Sequence, residues 1–253
     1  MNFLDKIIET KKKEIANRDI KSFDNRPLNT LSLKKTLSAP GVSVIAEIKM
    51  KSPSEGDIFP NADPVQIAKD YQSAGANAIS ILTDEKYFGG SIEILESVKN
   101  AVSIPIIRKD FIISKYQIAQ AGNAGADAFL LISELLDVNL ISSLNDFGKE
   151  LNLEAIVECH TKENAEMVSE LSPDIIGVNC RDLKTMKTDI NSFGDIASMI
   201  PASSIKIAES GIRCSDDLNY ISDLGYDAVL IGTSLMKTGN PGKALEMLIE
   251  GSG

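Results

Sequence analysis

A short apolar run recurs eight times along this chain, at spacings of about two to three dozen residues. Each run is rich in Ile, Val and Leu and is apolar on both faces, which is typical of a strand that is covered on both sides. The segments between the runs, such as DPVQIAKDYQSAG and SKYQIAQAGNAG, have the period of amphipathic helices. The runs occupy residues 42–49, 78–85, 104–111, 128–135, 153–160, 175–182, 204–211 and 228–235.

Three of the helical segments end alike, in AGANA, AGADA and LGYDA. These strings place Gly75, Gly125 and Gly225 two or three residues before the next run. A glycine at this position suits the left-handed residue that follows many helices. Since the three glycines are separated by multiples of 50 residues, the chain contains internal repetition.

The alternation of eight strand signals with helical segments predicts a parallel sheet closed into a (β/α)₈ TIM barrel, a fold of the α/β class. A doubly wound open sheet is the alternative, but it usually has fewer strands, and its glycine-rich first turn, G-x-G-x-x-G, is missing. A length of 253 residues suits one barrel domain. We therefore expect a single domain over residues 1–253, in which residues 1–40 add N-terminal helices at about 3–17 and 29–38.

Charge and composition argue against several classes of function. A formal net charge of −10 disfavours nucleic acid as a partner, although a few Lys and Arg residues in one cleft still suit a small anion. One histidine and three scattered cysteines offer little for a zinc site or a disulfide framework. No apolar stretch has the roughly 20 residues of a membrane helix, and the amino terminus has no secretory segment. We expect a cytoplasmic monomer without metal or cofactor and without nucleic-acid or membrane partners.

Charged and polar residues gather in the last third of several runs, and in such barrels the chemistry lies at the carboxyl ends of the strands. Any one of these residues is more often solvated or held in a structural ion pair, which Lys109 and Glu158 could form merely to satisfy each other. Side-chain alternation directs Glu47 and Lys49 to the same side of the sheet. The convergence of so many charges at one end favours an active site. Its candidate residues are Glu47, Lys49, Lys109, Glu158, Asn179 and Arg181.

The last two runs end in small residues, ESGI at 209–212 and IGTS at 231–234. Small residues leave backbone N–H groups free to point at an anion, and a following helix N-terminus adds its dipole. The loops after the seventh and eighth strands hold a phosphate in many barrels. The alternative is that Gly211 and Gly232 only permit tight turns. The position of both loops favours phosphate binding.

Other segments near the strand ends have two interpretations each. Residues 50–57, rich in Ser, Pro and Gly, form either a mobile lid that carries Lys49, Lys51 and Ser52 or an ordinary surface loop before a helix that begins near 63–64. Adjacent strand residues point to opposite faces, which argues against a nucleophilic Cys159–His160 pair, and we interpret both as structural. Four apolar residues form either a wall for the ligand or ordinary core, namely Phe88, Phe111, Leu130 and Leu183.

The chain contains seven segments, in this order over residues 45–236: IAEIKMKSPSEG, ILTDEKYFGGS, IIRKDFIISKYQI, IVECH, IGVNCRDL, IAESGI and LIGTSLM. They resemble the signature segments of the indole-3-glycerol phosphate synthase family. The EIKxKSPS and RKDFI patterns are the more specific, whereas IAESGI and LIGTSLM are shared with other phosphate-binding barrels. The amino-terminal helices resemble the extension that caps barrels of this family.

The resemblance implies a carboxy-lyase of tryptophan biosynthesis that acts on 1-(2-carboxyphenylamino)-1-deoxyribulose 5-phosphate. The reaction closes the indole ring and releases carbon dioxide and water. Lys109 would be the general acid toward the ketone oxygen, Glu158 the general base, and Lys49 the group that holds the substrate carboxylate and assists dehydration. Nearby carboxylates would keep Lys109 charged, while desolvation would lower its pKa toward the working pH.

The other roles that the resemblance implies concern binding. Glu47 and Asn179 would orient the reacting groups, and Arg181 would lie near the substrate carboxylate or hydroxyls. The residues around the phosphate would be Ser52, Ser210, Gly211, Gly232 and Thr233. Those around the aromatic ring would be Phe88, Phe111, Leu130 and Leu183.

Four positions depart from the commonest pattern of the family, namely Met50, Glu55, Cys180 and Thr233. None of them removes a catalytic group. Met50 and Glu55 bring substrate affinity and the behaviour of their loop into question, but not the type of reaction.

Three alternative functions stay open at this point. Phosphoribosylanthranilate isomerase is a neighbouring barrel enzyme that would be expected to use a Cys and an Asp, where the first strand here offers Glu47 and Lys49. A Schiff-base aldolase would use a desolvated Lys109 as its nucleophile. A barrel that only binds phosphorylated metabolites would need the phosphate loops but not Lys109 and Glu158 together.

Overall fold

A computed structural model of the protein describes residues 3–23, 28–182 and 185–251. The strands are β1 (Ser43–Ile48), β2 (Lys51–Ser52), β3 (Gly56–Asp57), β4 (Ala78–Leu82), β5 (Ile106–Lys109), β6 (Ala128–Ile132), β7 (Glu154–Cys159), β8 (Ile175–Asn179), β9 (Ile205–Glu209) and β10 (Ala228–Ile231). All except β2 and β3 form a closed parallel barrel in the order β1-β10-β9-β8-β7-β6-β5-β4, in which β4 pairs again with β1. The predicted α/β barrel is confirmed, and each barrel strand lies within one apolar run.

Helices connect the strands and cover the outside of the barrel. They are α1 (Phe3–Ile15), α2 (Leu33–Leu37), α3 (Pro64–Ser73), α4 (Glu85–Phe88), α5 (Ile92–Lys99), α6 (Lys115–Asn123), α7 (Val138–Glu150), α8 (Lys162–Leu171), α9 (Ser192–Ala197), α10 (Ser215–Asp223), α11 (Thr233–Met236) and α12 (Pro241–Glu250), with a 3₁₀ turn at Ile20–Ser22. Of these, α1 and α2 precede the first barrel strand, and α2 is shorter than the helix expected at about 29–38. Within the described ranges, no helix is both long enough and apolar enough to cross a membrane.

The repeated glycines end helices in the expected conformation. Gly75, Gly125 and Gly225 have φ values of 97°, 91° and 78°, and each follows the last capping residue of its helix, α3, α6 or α10. A residue with a Cβ is strained in this left-handed region, so glycine fits the position. The repetition seen in the sequence therefore marks the turn from a helix into the next barrel strand.

The barrel interior is a closed apolar core. Aliphatic side chains from successive strands fill it, among them Ile45, Ile107 and Ile156. Leu33 and Leu37 of α2 are fully buried in the same cluster. The backbone N–H of Lys34 donates to the side-chain carboxylate of Glu154, the first residue of β7. The short helix α2 therefore closes the end of the barrel at which the strands begin.

Side-chain alternation carries this interior face to the opposite end of the barrel. On β1, Ile45 faces the interior, so Glu47 faces inward as well, whereas Val44 and Ala46 pack in the separate core beneath the helices. Polar side chains of several strands thus converge where the strands end. The same two-residue step leads from Ile107 to Lys109, from Ile156 to Glu158 and from Ile207 to Glu209.

The segment after β1 is more ordered than the sequence suggested. Residues 50–57 form an antiparallel hairpin, in which Lys51 pairs with Asp57 and Ser52 with Gly56. Gly56 has a φ of 66°, and a glycine in this region closes a three-residue hairpin turn without strain. The helix expected near 63–64 begins at Pro64, with the Asp63 side chain as its cap.

Candidate active site

A cavity of about 530 Å³ opens where the barrel strands end. Each of the eight barrel strands contributes at least one residue to its wall. Of the candidate residues named from the sequence, Leu183 lies outside the described residues. The others all line this cavity, namely Glu47, Lys49, Ser52, Phe88, Lys109, Phe111, Leu130, Glu158, Asn179, Arg181, Ser210, Gly211, Gly232 and Thr233.

Lys109 lies at the centre of the charged groups. It ends β5, and its Nζ donates to Glu158 Oε2 at 2.6 Å and to Glu209 Oε2 at 2.9 Å. The two carboxylates end β7 and β9, so one ammonium group links three strands. All three side chains are largely buried. Such an ion cluster requires these contacts, since an unpaired buried charge costs several kcal/mol.

Burial and ion pairing act in opposite directions on Lys109. Burial alone would lower the pKa of its ammonium group. The negative charges of Glu158, Glu209 and Glu47 outweigh burial and hold the pKa above its ordinary value. Both expected influences act on Lys109, but the carboxylates prevail over desolvation, so its pKa is not lowered toward the working pH. Lys109 is fully protonated at neutral pH.

Glu158 and Glu209 interact because they share Lys109. Burial raises the pKa of a carboxyl group, but for Glu158 the charges of Lys109 and His160 outweigh burial, and the pKa is lowered. For Glu209, burial raises the pKa, Lys109 lowers it in part, and the charge of Glu158 raises it further. The pKa of Glu209 therefore lies above its ordinary value. Of these two carboxyl groups, Glu158 is therefore the one that ionises more readily, and a proton on the pair resides preferentially on Glu209.

A second ion pair lies beside the first. Lys49, just after β1, donates from Nζ to Glu47 Oε1 at 2.5 Å. Both side chains are mostly buried. Gly232 approaches this pair so closely that a Cβ built on it would overlap Glu47 Oε1. Only glycine at this position leaves room for the Glu47 carboxylate.

The loop after β9 has an unusual backbone. Ser210 and Gly211 follow each other with φ values of 71° and 78°, and a non-glycine residue in this region costs of the order of 1–3 kcal/mol. The Cys180 thiol donates to the Ser210 carbonyl oxygen at 3.3 Å and holds the turn. Successive backbone N–H groups in such a loop form a concave anion site. Three cationic side chains also line the cavity, namely Arg181, Arg213 and Lys237.

The hairpin after β1 forms one wall of the cavity. Ser52 and Glu55 face the cavity, and Glu55 accepts a 2.5 Å ion-pair hydrogen bond from Lys237, which follows α11. This hydrogen bond lowers the pKa of Glu55. Met50, the other departure in this loop, packs partly buried against the core beneath the helices. The hairpin is therefore part of the site rather than a remote surface loop.

Phe88 and Phe111 form an apolar part of the cavity wall. Their ring centroids are 6.0 Å apart, at an interplanar angle of 42°. Phe88 ends α4, and Phe111 follows β5 closely, so different elements carry the two rings. Leu130 of β6 lies in the same cavity wall. A flat aromatic group fits against such a wall.

Lys11, a buried lysine of α1, pairs with the two aspartates that bind the backbone of Phe88 and Phe111. Lys11, 2% exposed, lies with Nζ 2.7 Å from Asp84 Oδ2 and 3.0 Å from Asp110 Oδ1. Asp84 accepts the backbone N–H of Phe88, at 3.2 Å, and Asp110 accepts that of Phe111, at 2.8 Å. Burial lowers the pKa of Lys11, but the two aspartates raise it further, so it stays charged. The Lys11 ammonium group thus pairs with both carboxylates that fix the aromatic wall, and Arg108 also pairs with Asp110.

Asn179 and Arg181 extend the wall from β8. The Asn179 side-chain oxygen accepts the backbone N–H of Arg181 at 3.0 Å. The guanidinium of Arg181 donates to the carbonyl oxygen of Met186 at 2.9 Å. Both side chains line the cavity, where Asn179 offers an amide donor and Arg181 a fixed positive charge.

Sequence reasoning missed several groups at this site. Glu209 was noted only as part of a small-residue loop, although it ends a strand like Lys109 and Glu158, and the same rule would have found it. The interpretation of His160 as structural overlooked its contact with Glu158, since only its neighbour Cys159 was weighed as a partner. Cys159 does point away, into the core beneath the helices. The sequence carried no local signal for Lys11.

The fold and the site together define a class: a (β/α)₈-barrel enzyme with lysine and carboxyl groups for acid–base chemistry at the carboxyl ends of its strands. The sequence profile of one family, indole-3-glycerol phosphate synthase, matches residues 4–248. The chain belongs to the indole-3-glycerol phosphate synthase family.

Curated relatives match over nearly their whole length. The indole-3-glycerol phosphate synthase of Rhodococcus opacus (strain B4) is 43% identical over 256 residues, which cover 98% of this chain and 95% of that protein. That of Mycolicibacterium gilvum (strain PYR-GCK) is 41% identical over 253 residues, covering 97% and 93%. The similarity therefore includes the barrel and most of the segment before it.

Solved structures share the fold at much lower identity. The 3-hexulose-6-phosphate synthase from Salmonella typhimurium has a TM-score of 0.67 and 14% identity, covering 83% of this chain and 98% of that chain. Thiamine phosphate pyrophosphorylase from Pyrococcus furiosus has a TM-score of 0.62 and 16% identity, covering 87% and 96%. These similarities concern the barrel alone.

Proposed function

We propose that this protein converts 1-(2-carboxyphenylamino)-1-deoxyribulose 5-phosphate to indole-3-glycerol phosphate in tryptophan biosynthesis. One observation carries the proposal. The Lys109–Glu158–Glu209 cluster and the Lys49–Glu47 pair face one cavity, whose wall also contains the loop at Ser210 and Gly211 and the rings of Phe88 and Phe111. Family membership and this geometry support the same reaction.

Ring closure requires an acid at the ketone oxygen. Before the reaction Lys109 is protonated and donates hydrogen bonds to the carboxyl oxygens of Glu158 and Glu209. We propose that the substrate ketone oxygen replaces one of these partners and takes a proton from Lys109 as the ring carbon bonds to the ketone carbon. The iminium formed in this step accepts the electron pair that is released with carbon dioxide. Decarboxylation then restores the conjugation of the ring system.

Loss of water requires a base and a second cation. Glu158, ionised at neutral pH, is the group that takes the proton. Lys49 holds the substrate carboxylate and then assists departure of the hydroxyl group. Glu47 fixes Lys49 through their ion pair. Asn179 and Arg181 orient the substrate from β8.

The substrate has a phosphate group at one end and an aromatic ring at the other, and we propose a different part of the cavity wall for each. The phosphate binds at the loops after β9 and β10, in a cavity that Arg181, Arg213 and Lys237 also line. The aromatic ring lies against Phe88, Phe111 and Leu130, and we propose Leu183 for this wall from the sequence alone. The residues proposed to surround the phosphate are Ser52, Ser210, Gly211, Gly232 and Thr233.

The alternative functions fit less well. An isomerase with a Cys and an Asp lacks its cysteine on β1, where Glu47 and Lys49 form an ion pair. An aldolase needs Lys109 as a free amine, but the neighbouring carboxylates raise its pKa. A barrel that only binds metabolites has no use for the acid and base that Lys109 and Glu158 provide.

Replacing Gly232 by alanine is expected to lower kcat/KM by about 100-fold. The added methyl group overlaps the Glu47 carboxylate and displaces Lys49, and misplacement of reacting groups by about 1 Å has effects of this size. Steady-state kinetics of product formation measure the change. Gly194→Ala is the matched control, because a Cβ at Gly194 meets only ordinary contacts, the nearest at 3.6 Å. Equal kcat/KM in the two variants would contradict this role of Gly232.

The proposed function is tested by incubating the purified protein with the carboxyphenylamino deoxyribulose phosphate and following indole fluorescence, with and without a chelator. We expect product in both cases. Absence of product would refute the proposal. Borohydride added during turnover is expected to trap no adduct, whereas an adduct on Lys109 would favour the aldolase. Action as a single-domain monomer in the cytoplasm also stays a proposal, which sedimentation and cell fractionation test.

A further inference from the structure

His160 lies behind the proposed base and is not explained by the reaction as derived so far. It follows β7, two positions after Glu158, so both side chains are on the inner side of the sheet. The His160 side chain is 4% exposed. Its Nδ1 lies 2.9 Å from Glu134 Oε2, and its backbone N–H donates to Glu134 Oε1 at 2.9 Å. Glu134 therefore holds both the ring and the backbone of His160.

The second ring nitrogen faces Glu158. His160 Nε2 lies 3.3 Å from Glu158 Oε1 and has no hydrogen-bond partner within the part of the chain that the structure describes. The contact is close enough for an ion pair but poorly directed for a hydrogen bond. A buried nitrogen of this kind normally has a partner, so the orientation toward Glu158 requires an explanation.

The protonation state of the ring follows from its neighbours. An ionised Glu134 only accepts hydrogen bonds, so Nδ1 carries a proton. A neutral ring would then direct the lone pair of Nε2 at the Glu158 carboxylate, which is repulsive. An imidazolium instead places an N–H and a positive charge there. The charge on His160 and the charge on Glu158 therefore stabilise each other.

This charge matters when Lys109 acts. Before ring closure the ammonium group of Lys109 forms an ion pair with Glu158. During ring closure Lys109 gives its proton to the substrate, and its positive charge is lost from the cluster. Glu158 would then be a buried carboxylate next to Glu209 without a counter-charge, a state that costs several kcal/mol or forces Glu158 to take up a proton. A protonated Glu158 could not serve as the base.

We propose that His160, held by Glu134, is a positioning residue. It keeps Glu158 ionised after Lys109 has given its proton to the substrate. The inference rests on the proposed role of Glu158 and adds a residue that acts through it. The His160 imidazolium, which Glu134 keeps protonated, supplies beside Glu158 a positive charge that takes no part in the chemistry.

The surroundings of the ring agree with a charged imidazole. Burial lowers the pKa of His160, but the hydrogen bond with Glu134 and the charges of Glu158 and Glu134 outweigh burial and raise it. Lys109 opposes them in part. The Cys159 thiol stays neutral, because burial raises its pKa. Once Lys109 has lost its charge, the pKa of His160 is higher still.

The first measurement requires no substrate. His160 is the only histidine of the chain, so in protein without a histidine tag its imidazole gives one set of NMR signals. We expect an imidazolium at pH values where an ordinary histidine, with a pKa of about 6.5, is already neutral. In Glu158→Gln the titration is expected to move to lower pH by about one unit. A neutral imidazole at pH 6.5 and below, or the same titration in Glu158→Gln, would overturn the proposal.

The second measurement is the dependence of kcat on pH. Without the imidazolium, Glu158 is easier to protonate, so the acidic limb of the profile is expected to move to higher pH by about one unit in His160→Gln. Glu134→Gln keeps the ring but removes a hydrogen bond and a charge that raise its pKa, so the NMR titration of His160 is expected to move to lower pH. Glu166→Gln, at an exposed position on α8, is the control that leaves the limb in place.

A purely structural role predicts a different result. In that case His160→Gln would lower kcat by the same factor at every pH, and this outcome overturns the inference while the proposed function stands. If the unsubstituted protein forms no product, the proposed function fails, and the inference fails with it. Thermal unfolding of each variant shows whether it folds. If His160→Gln does not, the NMR titrations of His160 in the unsubstituted protein and in Glu158→Gln decide.

Discussion

The variant Lys109→Ala is expected to lose about 10²- to 10⁴-fold in kcat, the range that removal of a positioned general acid produces. The ammonium group has no substitute at its position, because among the described residues no other cation contacts both Glu158 and Glu209. Steady-state assays of indole formation measure the loss. The residual rate is measured at high enzyme concentration, so that contamination by a host enzyme can be recognised.

Binding of the substrate is expected to persist in Lys109→Ala. The proposed phosphate loops follow β9 and β10, and the backbone of Phe88 and Phe111 is held by Asp84 and Asp110 rather than by Lys109. Equilibrium binding to the inactive variant is expected to give a dissociation constant within about tenfold of the unsubstituted value, since the lost contact acts mainly in the transition state. Lys243→Ala removes an exposed lysine with a single surface ion pair and serves as control. Unchanged turnover in Lys109→Ala would refute its role as the acid.

Lys11→Met is expected to lower the free energy of unfolding by about 3–5 kcal/mol, the usual cost of removing one partner of a buried ion pair. The methionine has a similar length but leaves Asp84 and Asp110 without the cation between them. For a chain of this size the melting temperature should fall by on the order of 10 °C. Denaturant titration and calorimetry measure the change.

The same substitution is expected to loosen the aromatic wall. Asp84 and Asp110 fix the backbone at Phe88 and Phe111, so KM should rise with the loss of stability even well below the melting temperature. Lys13→Met on the same helix is the matched control, because Lys13 is exposed and pairs only with Glu9 at the surface. Such a pair contributes well under about 1 kcal/mol. Equal melting temperatures for the two variants would show that Lys11 does not fix this helix.

The barrel was predictable because its signal repeats. A strand covered on both sides must be apolar, and eight such runs with helical segments between them leave few architectures. The charged residues at the strand ends could be assigned to one cavity for a related reason: a period of two fixes the side to which Glu47 or Lys109 points. Glu209 obeys the same rule and was missed only because its loop was assigned to phosphate.

Contacts between distant segments could not be predicted in this way. Lys11 is one of several lysines on α1, and nothing in the local pattern distinguishes it from exposed Lys12 or Lys13. Its burial depends on how α1 lies on the barrel, which the sequence of α1 does not determine. The Glu134–His160 pair depends likewise on a loop after β6 that brings a carboxylate to the end of β7.

Lys109, Lys49 and Glu158 are proposed to face one cavity beside a phosphate site. A crystal structure with bound indole-3-glycerol phosphate would show this arrangement directly. The phosphate is predicted at residues 209–212 and 231–234, the indole ring against Phe88 and Phe111, and all three charged groups within one hydrogen-bonded layer around the ligand. A phosphate bound elsewhere, or these side chains turned to different surfaces, would contradict the account.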